Sequence, residues 1–200
     1  MISRFIFCMA IGCMMLLGGA ASPRGSASAP RYDAKGRLIF PADYRTWVFL
    51  SSGLNMSYTD NPAMAGRDMF DNTFVPVAAY DAFIKSGVWP DKTVIVLENR
   101  GGTTKGSINK RGQFQTTEMM GAEAHVKDTK RLQGGWGFFA FDKSAAPAPE
   151  IPHTAACYSC HEQHAAADTT FVQFYPTLLP AATRLGTLSK SYLSESRAAP

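Results

Sequence analysis

Cysteine is scarce in this 200-residue chain: Cys8 and Cys13 fall in the first stretch, and Cys157 and Cys160 stand close together near the other end. A charge excess of one sign is also lacking. Twenty Lys and Arg against sixteen Asp and Glu leave a formal charge of +4, too small and too scattered to argue for nucleic acid or an acidic membrane surface as partner. No apolar run reaches the roughly 20 residues needed to cross a bilayer comfortably, and no internal repeat is visible. What is there, 46% hydrophobic and 18% charged, is an ordinary globular composition, for which one domain is the default.

The N-terminus has the parts of a secretory signal peptide: Arg4, an apolar stretch over residues 5–17, then Gly18, Gly19, Ala20 and Ala21. Cleavage after Ala21 predicts a periplasmic protein with no membrane attachment. An uncleaved anchor is the lesser reading because the apolar stretch is short. A lipoprotein is a minor one, because Ala10 stands where the run Ala10-Ile-Gly-Cys13 would need a large aliphatic residue. The expected organisation is a signal peptide over 1–21, a flexible Ser-, Ala- and Pro-rich lead over 22–37, a folded domain over 38–185 and a tail over 186–200.

Once the signal is removed, the two remaining thiols lie in Cys157-Tyr-Ser-Cys160-His161, the C-x-x-C-H attachment signature of c-type haem. The spacing follows from the chemistry: two thiols add across the two vinyl groups of one porphyrin edge, and the adjacent imidazole reaches the iron. A thioredoxin-like C-x-x-C should follow a strand near a βαβ unit, whereas this one follows the proline-rich connector 143–152. A zinc site would need two more ligands, with only His153 and His164 near. One motif predicts one covalently attached haem c, with Cys157 and Cys160 as attachment points and His161 as the iron ligand.

The rest of the chain predicts an α+β fold, a mostly antiparallel sheet flanked by helices, with a C-terminal haem-attachment helix. Residues 44–50 suit either a strand or a helix start after Pro41. Residues 69–75 read as a strand, and 76–87 as a helix with Pro76 at its first turn and Gly87 at its end. Residues 93–98 are apolar on both faces, as a doubly buried strand is. Three more strands are expected at 112–119, 122–127 and 136–141, joined by short hairpin-like connections. In the middle one, alternation puts His125 on a face expected to be solvated. Trp136, Phe138, Phe139 and Phe141 suit either a haem-pocket wall or a plain core.

The sixth coordination position decides between functions. A haem that only moves electrons commonly has a second strong axial ligand such as Met, while one that handles small molecules leaves that side open. No Met follows Cys160. Met56, Met64, Met69, Met119 and Met120 lie upstream, where Met is more commonly core filler. An open or weakly occupied site is the expectation; a simple electron carrier with Met119 or Met120 as sixth ligand is the rival.

At this point the chain resembles the cytochrome P-460 and cytochrome c′-beta family. The resemblance is carried by Tyr44-Arg45-x-Trp47-Val48, Trp89-Pro-Asp-Lys-Thr-Val-Ile-Val96, Ser107-Ile-Asn-Lys110, Glu123-x-His-Val-Lys-Asp128, Gly135-Trp-Gly-Phe-Phe139 and Cys157-Tyr-Ser-Cys-His161 with Phe171-Val-Gln-Phe-Tyr-Pro-Thr-Leu178. It implies an antiparallel sheet flanked by helices, frequently a homodimer, with His161 proximal and an apolar distal pocket. Cytochromes P-460 oxidise hydroxylamine and handle nitric oxide on a haem cross-linked to a Lys, whereas c′-beta members lack that bond and bind diatomic gases. The family's lysine falls at Leu97, so the resemblance implies no cross-link there and an apolar pocket wall. Lys92 and Lys105 flank the strand as fallback candidates, each more simply a solvated turn lysine.

Arg45 matches a family position and is expected either at a haem propionate or the distal site, or in an ordinary ion pair. Glu98 points away from Leu97 by alternation, leaving no obvious acid or base over the iron. The functional expectation is therefore a periplasmic mono-haem c protein that binds, and if an enzyme oxidises or reduces, a small nitrogen-containing ligand such as nitric oxide or hydroxylamine, exchanging electrons with a partner protein.

Overall fold

The computed structural model describes residues 29–57, 66–106 and 108–198. The expected signal peptide with Cys8 and Cys13, the start of the lead, Met64 and Ser107 lie outside the described residues. No described helix is long and apolar enough to cross a membrane.

Five strands form an antiparallel meander in sequence order: β1 (Val48–Leu54), β2 (Met69–Val75), β3 (Val94–Thr103), β4 (Phe114–Lys127) and β5 (Trp136–Phe141). Among the described residues four α-helices accompany it: α1 (Val77–Ser86), α2 (Ala156–His164), α3 (Leu179–Leu185) and α4 (Lys190–Ala198). The fold is α+β, as expected. Helix α1 starts after Pro76 and stops at Gly87, whose φ of 71° is left-handed. A Cβ there would clash with the Thr187 side chain, so glycine answers both backbone and packing.

The two faces of the sheet are covered by different parts of the chain. On one, Leu38 exchanges backbone hydrogen bonds with Ala148 at 2.8 and 3.0 Å, and packs with Tyr44 over Val94, Val96, Ala124, Val126, Phe139 and Phe141. On the other, Phe83 and Trp89 pack with Val75, Ile95, Trp136, Val172 and Leu178. The four aromatic residues of β5 therefore divide, Phe139 and Phe141 inward to the first core, Trp136 and Phe138 to the second face.

Some boundaries differ from the sequence expectations. Residues 44–50 split into a 3-10 turn, Tyr44–Thr46, and the start of β1. Strand β3 runs on to Thr103. The segments expected at 112–119 and 122–127 are one strand, β4. Gly121 pairs with Asn99 inside it, and an added Cβ would sit 3.1 Å from the Phe141 carbonyl oxygen, so this glycine serves a close strand approach, not a turn. The lead expected to be flexible over 22–37 is structured within its described part: Arg37 bridges Asp33 at 2.7 Å, and Tyr32 lies under the Arg131 guanidinium, 3.9 Å from its ring centroid. The expected tail over 186–200 contains α4, anchored by Ser189 N–H donating to Ala166 O at 2.8 Å and by a 2.5 Å contact of His164 Nδ1 with Glu195.

Glu98 lies on the first face, fully buried. Tyr44 Oη and Arg45 Nη1 donate to its carboxylate at 2.6 Å each, Asn72 Nδ2 donates at 3.1 Å, and Arg100 completes the set. Burial alone would push this carboxyl up; the bonds from Arg100, Tyr44 and Asn72 outweigh it and hold the group below its ordinary range. Glu98→Ala leaves Arg100 without its buried partner and should cost about 3–5 kcal/mol. Arg45→Ala, which removes a half-exposed partner, should cost under about 1 kcal/mol. Chemical denaturation of both variants checks the contrast, and equal losses would contradict it.

Candidate functional site

Helix α2 begins after the turn in which Ala155 N–H bonds Pro152 O at 2.9 Å, and carries Cys157 and Cys160 three residues apart on one side. Both are free thiols and half-buried. Burial and the neighbouring Cys157 push the Cys160 thiol up. His161 follows directly, its ring centroid 4.1 Å from that of Phe171, 4.6 Å from Phe138 and 4.8 Å from His125. Its Nδ1 lies 2.8 Å from the backbone carbonyl of Thr169. A carbonyl can only accept, so the proton belongs on Nδ1 and the Nε2 lone pair is left for another partner. Burial lowers the pKa of this imidazole against the raising effect of the Thr169 bond, favouring the neutral, metal-ligating form.

The face of the sheet beside His161 is read most directly by strand register. The rung nearest His161 is Ile95, His125 and Phe138. The next, about 7 Å along the strands, is Thr73, Leu97, Glu123 and Ala140. Beyond it come Asp71, Asn99 and Gly121. Leu97 is half-buried while Glu123 and Ala140 are open to solvent, so an accessible rung adjoins the packed aromatic one. Glu123 is nevertheless hemmed in by protein, and that burial raises its carboxyl. Asp71 is 5% exposed; burial, then the nearby Glu123, raises its pKa to about 6 against a 3.0 Å bond from Asn99 Nδ2.

Residues 41–172 match the Cytochrome P460 family model. The chain belongs to the cytochrome P460 family. The matched span takes in all five strands, α2 and the C-x-x-C-H motif, and the earlier resemblance is shown by it. No curated protein matches the chain. Membership implies a haem cofactor, and the residues fit one: a neutral imidazole with one nitrogen committed and one available, two free thiols on the same helix, and an aromatic wall beside an accessible apolar side chain.

The structure gathers Cys157, Cys160, His161 and Phe138 at one place and puts Leu97 one rung away. It does not bring Arg45 to them: Arg45 pairs with Glu98 and lies over the Phe74 ring on the other face. Lys92 pairs with Asp128 at the start of β3, and Lys105 is exposed past its end. Met119 packs on the first core, away from His161. The expectation for His125 is overturned. Its alternation was read correctly, but α2 and the loop behind it cover that face, leaving the ring 9% exposed, stacked 4.2 Å from Phe138, with Nε2 unpartnered. Burial, then His161, drives its pKa well below the usual value.

Sequence reasoning missed Thr169, Asp71 and Glu123, and with the last two the acid groups on the Leu97 face. Glu123 was within reach, since it alternates with Ala122 and Ala124; its pairing to Leu97 was not.

Asp71 is raised in the folded state, so its contribution to stability is greatest below pH 3.8, falls as pH rises toward about 6, and is a constant penalty above that. Asp71→Asn, which retains an oxygen for Asn99, should stabilise the protein by about 1–3 kcal/mol near pH 7.5 and lose this advantage near pH 4. Denaturation midpoints across that range measure it; a pH-independent difference would refute the titration.

Proposed function

We propose that this cytochrome carries one haem c joined by thioether bonds to Cys157 and Cys160, that His161 Nε2 ligates its iron, and that the opposite side is open to a small nitrogen-containing ligand, nitric oxide or hydroxylamine. The observation that carries this reading is the bond from His161 Nδ1 to Thr169 O, which leaves the imidazole prepared for one metal bond beside an accessible rung. When bound, the haem supplies the iron that takes the ligand and exchanges electrons. Leu97 gives that rung an apolar side chain, and Thr73, Glu123 and Asp71 give groups able to hold a ligand N–H or O–H. The export signal over 1–21 supports a periplasmic location, with a redox partner protein exchanging electrons.

The carboxylates bear on turnover. Proton transfer needs a group within reach of the ligand whose pKa lies near working pH, and Asp71, at about 6, meets the second requirement. A hydroxylamine or nitric oxide oxidoreductase would draw its proton from this carboxyl. The electron-carrier reading narrows its ligand: Met119 is in the far core, leaving Met120, and Met69 joins it, sharing the face with Asp71 with its sulfur accepting from Asn99 Nδ2 at 3.6 Å.

Protein matured in cells that assemble c-type cytochromes should gain the mass of one haem, and Cys157→Ser with Cys160→Ser should abolish the covalent gain. The ferrous protein should be high-spin and shift its spectrum with carbon monoxide or nitric oxide. A low-spin spectrum unchanged by carbon monoxide would transfer the reading to an electron carrier with Met120 or Met69 as sixth ligand. A red-shifted ferrous Soret band with an extra haem-peptide bond would instead point to a lysine cross-link.

A further inference from the structure

The loop that follows α2 contains two consecutive non-glycine residues in the left-handed region, Asp168 at φ 47° and Thr169 at φ 60°. For β-branched Thr this is a steric outlier, and such conformations persist only where their surroundings over-determine them. The surroundings here are specific. Asp168 Oδ2 accepts the Trp89 backbone N–H and the Lys127 ammonium, both at 2.8 Å, and Oδ1 lies 3.4 Å from Trp136 Nε1. Thr170 Oγ1 accepts from Trp89 Nε1 at 2.9 Å. Lys127 is only 13% exposed, donates also to the Trp89 carbonyl at 2.7 Å, and sits 5.5 Å from the Trp136 ring centroid. Its ammonium is therefore enclosed by two acceptors and an aromatic face, a geometry far more fixed than that of a surface ion pair.

The strain has one visible product: the Thr169 carbonyl stands 2.8 Å from His161 Nδ1. We propose that Lys127 and Asp168 are positioning residues for His161, their ion pair tying the loop to β4 so that Thr169 stays left-handed and its carbonyl holds the Nδ1 proton. This rests on the reading of His161 as the iron ligand. A firm Nδ1–H···O bond makes the other nitrogen a better electron donor, and a better donor favours the oxidised metal. Loosening the clamp should therefore weaken the iron–imidazole bond and raise the reduction potential, although neither Lys127 nor Asp168 touches the imidazole.

The test uses the haem-loaded protein and three variants. Lys127→Met keeps the apolar stem and removes the charge. Asp168→Asn suits the left-handed position and retains an acceptor for Trp89, but loses the ion pair. Thr169→Asn suits φ 60° and keeps the carbonyl. At equal haem loading, Lys127→Met and Asp168→Asn should lower the ferrous iron–histidine stretching frequency and raise the midpoint potential, while Thr169→Asn should match wild type in both. Frequency and potential unchanged in both ion-pair variants would overturn the clamp and leave His161 as the ligand. So would a Thr169→Asn shift as large as theirs, since the side chain rather than the carbonyl would then be acting. Wild-type protein without covalent haem would overturn the site reading, and the clamp with it. If Lys127→Met does not accumulate, Asp168→Asn supplies the same two measurements.

Discussion

The register of β3 decides the composition of the site, and Glu98 holds that register. Leu97 and Glu98 are neighbours on one strand, so their side chains leave opposite faces. A slip of one residue would exchange them, placing a carboxylate on the accessible rung and a leucine among Tyr44, Asn72 and Arg100. The exchange is prohibitive because those donors would lose a charged acceptor in the protein interior. The apolar character of the position beside His161 is thus secured by polar bonding on the far side of the sheet.

The same arrangement explains how a continuous five-stranded sheet serves two purposes. Its first face is closed by the N-terminal segment through Leu38 and Tyr44, giving a conventional core. On its second, Val75, Ile95 and Trp136 are covered by α1, α3 and the loop behind α2, whereas among the described residues Glu123 and Ala140 stay open to solvent. The uncovered part adjoins the packed part by one rung, so ligand access need not expose the imidazole's hydrogen bond or the clamp behind it.

The parts of this site that were legible in the sequence are those set by local chemistry. C-x-x-C-H located Cys157, Cys160 and His161; Pro76 and Gly87 bounded α1; the segments read as strands at 69–75 and 136–141 are β2 and β5. The rest depends on contacts distant in the chain. Alternation can say that His125 shares a face with Glu123, but not that Trp136 and Phe138 on the next strand and His161 on α2 close over it. Gly121 looked like a turn because a glycine's tolerance of φ above zero and its lack of a Cβ read identically in sequence, and only the nearby Phe141 carbonyl separates them. Arg45 offered two roles of equal weight, and the buried Glu98 selects the ion pair.

The raised carboxyls and Leu97 follow from one shortage of positive charge. Glu123 pairs directly with Leu97, and Asp71 pairs with Asn99 on the next rung, so both carboxyls face uncharged cross-strand partners. Among the causes acting on either group there is no cation: burial raises both, Glu123 raises Asp71, and only the amide of Asn99 opposes. A lysine at the position of Leu97 would offset that charge and hold Glu123 ionised. With leucine there both carboxyls keep their protons to higher pH than an ordinary carboxyl does, Asp71 to about 6, so the substitution that makes the wall apolar also lets Asp71 donate a hydrogen bond below that pH.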